Sequence, residues 1–198
     1  MKKEKHPIIC TYKTTNNCNF PLVMIIGRES NNNIGYGHSV GHYDFCQFSS
    51  GGFWNSSYSF IAKSAEINNM EFKKLCTKNK SSPIIFTNVS SVPIPNEIQS
   101  KAIIRKKISR EIAEKHIDII FSKKIIKRVK FAIVSGAQKK EFSDSANYFI
   151  KQLRKRKIEF VEVPFFFGRN YKKIKKAVSK SQRNKIETIV NTWKNNYF

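Results

Sequence analysis

The side chains best placed to do chemistry sit where apolar runs stop. In "LVMIIGRESNNN", residues 22 to 33, five apolar residues lead through Gly27 to Glu29, a carboxylate at the mouth of a buried strand in a strongly cationic chain. Such a group can stabilise developing positive charge on a reacting carbon and orient a water molecule for attack. "SPIIFTN" ends the same way at Asn88, whose carboxamide offers donors and acceptors to a heteroaromatic edge. Phe45 and Phe48 lie in a polar loop, where their rings could stack on a flat ligand. "VPFFFGRNY" places three phenylalanines in a row. They cannot all turn to one side of a strand, so at least one should line a pocket or face a partner. Each position also has a plainer reading. Glu29 could pair with Arg28 or a lysine, Asn88 could form a turn, and loop phenylalanines could pack as local core.

A metal centre is a weaker candidate. His38, His42 and Cys46 recur every four residues in "GHSVGHYDFC", with Cys10 and Cys18 upstream. Gly37 and Gly41 oppose a stable helix there, so the spacing loses its geometric meaning. None of the four cysteines forms a CxxC pair, and reduced thiols without a metal or other cofactor are expected.

The elements that would position these groups are legible as periodicity. "PLVMIIG", "SPIIFTN", "VKFAIVSG" and "KIEFVEVP" have the continuous apolar form of strands buried on both faces. Between them, Phe142, Ala146, Phe149, Ile150 and Leu153 follow helical spacing, and Ile104, Ile108 and Ile112 would line one face of a long basic helix. Ile186, Ile189, Val190 and Trp193 mark a closing helix with a basic outer face. Strands alternating with helices predict an α/β fold: a three-layer α/β/α domain with a central four-stranded parallel sheet. One domain spans residues 1–198, with 1–19 as an N-terminal extension and 172–198 as a basic C-terminal helix. The longest irregular stretch, 28 to 52, leaves the carboxyl end of the first of these strands, where open α/β sheets keep their sites.

Charge narrows the partner. The chain of 198 residues carries 37 Lys and Arg against 14 Asp and Glu, a net charge of +23. Residues 1–100 hold 10 basic and 6 acidic side chains, and residues 101–198 hold 27 and 8, so the second half dominates the field. A polyanion, nucleic acid first, is the expected partner. No run of 18 apolar residues predicts a membrane span, and "MKKEKHPIICTYK" lacks a long apolar stretch of the secretory kind, so an intracellular, cytoplasmic protein is expected.

In this order the motifs resemble the uracil-DNA glycosylase superfamily, over roughly residues 20 to 171. Members of that superfamily open with a strand and a Gly-x-(Asp/Asn)-Pro turn whose third residue positions or activates water. Here "IIGRES" puts Glu29 at that place, with Ser30 where proline is usual. "GGFWNSSYSF" is similar to the Phe-Trp that opens the next helix in the mismatch-specific thymine/uracil branch, whose preceding loop supplies a stacking ring, a role implied for Phe45 or Phe48. Asn88 would read the pyrimidine edge, and "SGAQKK", with Ser135, Gln138 and Lys139, resembles the loop that clamps DNA phosphate. In the last motif Pro164, Gly168 and Asn170 match by spacing, Phe165 stands where a polar stabiliser of the leaving base is usual, and Arg169 stands at the wedge. The resemblance implies a monomeric, cofactor-free, monofunctional DNA glycosylase that flips a uracil-like or modified pyrimidine and hydrolyses its N-glycosidic bond, in repair or in defence against modified foreign DNA. Two other readings stay open: a non-catalytic nucleic-acid-binding protein on the same scaffold, and a nucleoside- or nucleotide-processing enzyme.

Overall fold

In the computed structural model, the described residues are 7–27, 40–42, 52–89, 110–136, 143–166 and 170–197. Six strands form one sheet in the order β3-β1-β4-β2-β5-β6. They are β1 (Ile9–Thr11), β2 (Leu22–Gly27), β3 (Val40–His42), β4 (Ile84–Asn88), β5 (Val129–Ser135) and β6 (Glu159–Val163). All six residues of β2 are buried, as a central strand covered on both faces requires. Along β6, by contrast, Glu159 and Glu162 are exposed, which suits an edge strand.

The four strands expected from the sequence are therefore β4, β2, β5 and β6, adjacent in that order and parallel throughout. The four-stranded, all-parallel expectation is too small by two. β1 runs antiparallel to β4 at Cys10 and Phe86, and β3 pairs with β1 in parallel. The physical reason is length: "ICT" and "VGH" are three residues each, too short for an apolar run to announce them. β1 also means that residues 9–11, expected within an N-terminal extension, belong to the sheet.

Helices among the described residues are α1 (Lys13–Asn17), α2 (Phe53–Ser64), α3 (Asn69–Asn79), α4 (Arg110–Ser122), α5 (Ser143–Lys155), α6 (Tyr171–Ala177) and α7 (Lys180–Asn195), with a 3-10 turn at Lys124–Arg128. They pack in two groups, α2 with α3 and α7, and α4 with α5. Ala146, Phe149, Ile150 and Leu153 of α5 are buried, as are Ile186, Ile189, Val190 and Trp193 of α7. Residues 172–198 do not make one helix: α6 ends at Ala177, and Ser179 starts α7 with a capping box whose partner is Gln182. Lys172, Lys173, Lys175 and Lys176 give α6 an exposed basic face. Where a long basic helix was expected, the described residues begin at Arg110; Ile104, Ile108, Phe142 and the side chain of Ile112 lie outside them.

Three of the described helix ends follow one device. Glu66, Lys80 and Lys157 have φ of 55°, 44° and 55°, the left-handed region where glycine is cheapest. Each follows a helix, and the N–H of the next residue reaches back to a helical carbonyl: Ile67 to Ala62, Ser81 to Cys76 and Ile158 to Leu153, at 2.9, 3.1 and 3.0 Å. These are Schellman ends built without glycine.

Candidate functional site at the carboxyl ends of the strands

Parallel register brings the strand ends to one edge of the sheet. Gly27 pairs with Asn88, Ile26 with Val134, and Ser135 with Val163, so the last residues of β2, β4, β5 and β6 lie side by side. The ladder runs on past them: Val89 N–H donates to the Gly27 carbonyl at 3.0 Å, and Gly136 N–H to the Val163 carbonyl at 2.8 Å.

Two glycines allow side chains to close over this edge. A Cβ on Gly27 would lie 2.3 Å from Asn88 Oδ1, so the Asn88 carboxamide rests directly against the backbone of β2. Gly136 has φ of 72°, and a Cβ there would lie 2.9 Å from the Cβ of Phe165. Only glycine satisfies both demands.

Phe165 lies over that glycine and stacks on Phe53, the first residue of α2, with centroids 5.3 Å apart and planes 23° apart. Phe166 turns inward, is fully buried, and meets Phe53 and Phe60 edge-on or tilted at 6.0 and 5.7 Å. The three-phenylalanine stretch thus divides as alternation demands: Phe166 is core, while Phe165 remains half-buried at the sheet edge.

The loop carrying Phe165 is braced from both sides. Phe166 N–H donates to Ser135 Oγ at 2.9 Å, and Asn170 Nδ2 donates to the Phe165 carbonyl at 2.9 Å. Ser135 is fully buried. Both side chains therefore position the aromatic loop, and the Ser135 hydroxyl accepts from its backbone. On the other flank, His116 of α4 is buried at 4% exposure and its Nε2 meets the Asn88 carbonyl at 3.0 Å. A carbonyl only accepts, so Nε2 carries the proton.

Of the residues singled out from the sequence, Asn88, Ser135, Phe165 and Asn170 come together here. Glu29, Phe45, Phe48, Gln138, Lys139 and Arg169 lie outside the described residues. Sequence reasoning missed two participants. Phe53 was legible as the ring opening α2 but not as the partner of Phe165, and His116 carries no signal in "EIAEKHIDII" beyond its helical setting. Among the described residues no three His, Cys, Asp or Glu side chains gather as metal ligands. Burial pushes the Cys10 thiol up to about 12, which leaves it protonated and unreactive.

The groups gathered at this edge are the Phe53 and Phe165 rings and the Asn88 carboxamide, the side chains that close over Gly27 and Gly136. No family model, no curated protein and no solved structure matches the chain.

Proposed function

We propose that the protein is a DNA glycosylase related to the uracil-DNA glycosylase superfamily, in which a three-layer α/β/α domain hydrolyses the N-glycosidic bond of a flipped, uracil-like or modified pyrimidine. The observation that carries this reading is the meeting of Gly27, Asn88, Gly136 and Phe165 at one sheet edge, because these positions come from four motifs far apart in sequence. Glu29 follows Gly27 by two residues and is the catalytic carboxylate of the mechanism.

The flipped base stacks on the Phe165 ring, and the Asn88 carboxamide pairs with its edge. As the bond to the base lengthens, positive charge spreads over C1′ and the ring oxygen of the sugar; the Glu29 carboxylate stabilises it and orients the water that attacks C1′. Water transfers a proton to Glu29, the base leaves with the bonding pair, and an abasic sugar remains. Phe165 offers the leaving base no hydrogen bond, so it suits a substrate whose anion is already stabilised by its own substituents. The apolar surface of the Phe-rich loop favours a bulky or modified base over plain uracil.

Duplexes containing uracil, a thymine mismatch or modified cytosines, incubated with the protein and then heated in alkali, should break at one of these bases. Strands that all stay intact while DNA remains bound would reject catalysis. One observation favours the second reading, a non-catalytic nucleic-acid-binding protein: Ser135 and Asn170 both spend their polar groups on bracing the loop. The same incubation separates the two.

A further inference from the structure

The opposite end of the sheet holds a cleft that the excision reading does not use. It has a volume of about 720 Å³ and lies among Pro21 ahead of β2, the 3-10 turn and start of β5, the turn from α5 into β6, and one face of α7. β2 is six residues long, so the two ends of the sheet are separated by about 20 Å of strand.

Its wall is chemically one-sided. Lys123, Lys127, Lys130, Arg156, Lys157 and Lys185 line it, and no carboxylate does. Lys185 is paired with Glu159 at 2.6 Å, whereas Lys123, Lys127, Lys130 and Lys157 have no acidic partner among the described residues. Beneath the cations the lining is apolar: Phe121, Ile126, Ile158 and Ile189. The Arg156 guanidinium lies 4.4 Å from the centroid of the Phe121 ring, and Gln152 Oε1 accepts from its Nη1 at 2.6 Å. A planar cation thus lies over an aromatic ring on an exposed residue.

We propose that this cleft binds a nucleotide, its phosphate among the lysines and its base on the apolar floor beside Arg156. A bare inorganic anion would satisfy the lysines but leave the floor unused, and an uncharged ring would leave the lysines unused. A guanidinium already seated on an aromatic ring offers its other face for stacking a base. The volume falls within the range of small-ligand sites. The nucleotide can come from two sources, free in solution or within a single strand that runs past this end of the protein.

Amide shifts in a nitrogen-proton correlation spectrum locate binding directly. Thymidine monophosphate should move Ile126, Lys130, Ile158 and Ile189, with inorganic phosphate and thymidine each far weaker. Movement with the mononucleotide identifies the free source, and movement only with a thymidine hexanucleotide identifies the strand. The K127E/K130E variant, changed at two exposed positions, should weaken binding at least about tenfold. Arg156→Ala should weaken the nucleotide without changing the response to inorganic phosphate. The proposal is overturned if neither nucleotide probe moves these amides, if phosphate alone binds as well as the nucleotide, or if K127E/K130E binds unchanged. Base excision plays no part in this readout, so failure of either proposal leaves the other standing.

Discussion

Single residues at the sheet edge are constrained by contact and by backbone conformation together. Gly136→Ala combines a left-handed φ of 72° with a 2.9 Å approach to Phe165, and we expect it to cost about 1–3 kcal/mol in denaturant unfolding. The substitution should also displace Phe165, so any activity should fall further than stability does. Cys10 makes a separate prediction. Its native thiol holds a proton up to about 12 against an ordinary value of 9.0, so its contribution to stability is complete below pH 9 and is lost as pH rises towards 12. At pH 8 an alkylating reagent should modify Cys10 only after denaturation, which peptide mass spectrometry would read. The positions of Asn88 and Phe165 were legible beforehand because each stands where an apolar strand run ends. The bracing roles of Ser135 and Asn170 were not legible, because they depend on a partner 31 and 5 residues away. His116 was hidden for the same reason: its hydrogen bond to Asn88 exists only once α4 has packed.

Elements were legible in proportion to their length and uniformity. β2, β4, β5 and β6 announce themselves as apolar runs, and α7 as a stripe ending in Trp193, whose Nε1 donates to Ser81 Oγ at 3.1 Å. β1 and β3 are visible only through their pairing. The boundary between α6 and α7 was missed because lysine continues through it, although Ser179 and Gln182 are the signature of a helix start. Helix ends at Glu66, Lys80 and Lys157 escaped for a related reason: the usual glycine punctuation is absent. Lys80→Gly should therefore stabilise the protein by about 1 kcal/mol, measured as a higher denaturant midpoint with unchanged slope. Trp193→Ala removes a fully buried ring that meets Phe72 at 5.6 Å between α7 and α3, and should cost about 3–5 kcal/mol.

At the scale of the whole molecule, charge and topology divide the labour. The net charge of +23 is concentrated in the second half of the chain, where it gives α6 a row of exposed lysines and lines the cleft at the amino ends of the strands. Binding to a DNA strand should weaken steeply with salt, because each neutralised phosphate releases condensed counterions, with a logarithmic slope of about −0.9 per contact on duplex DNA. A shallow slope would point instead to a small anionic ligand. The topology supplies the other half: one parallel register delivers four strand ends to a single edge, and Glu29 lies two residues beyond one of them. Single-turnover excision by the wild-type protein and by Glu29→Gln, on whichever modified duplex is cut, reads the role of this carboxylate. The variant should keep its DNA affinity and lose at least about a hundredfold in rate; excision at an undiminished rate would mean that Glu29 is not the catalyst.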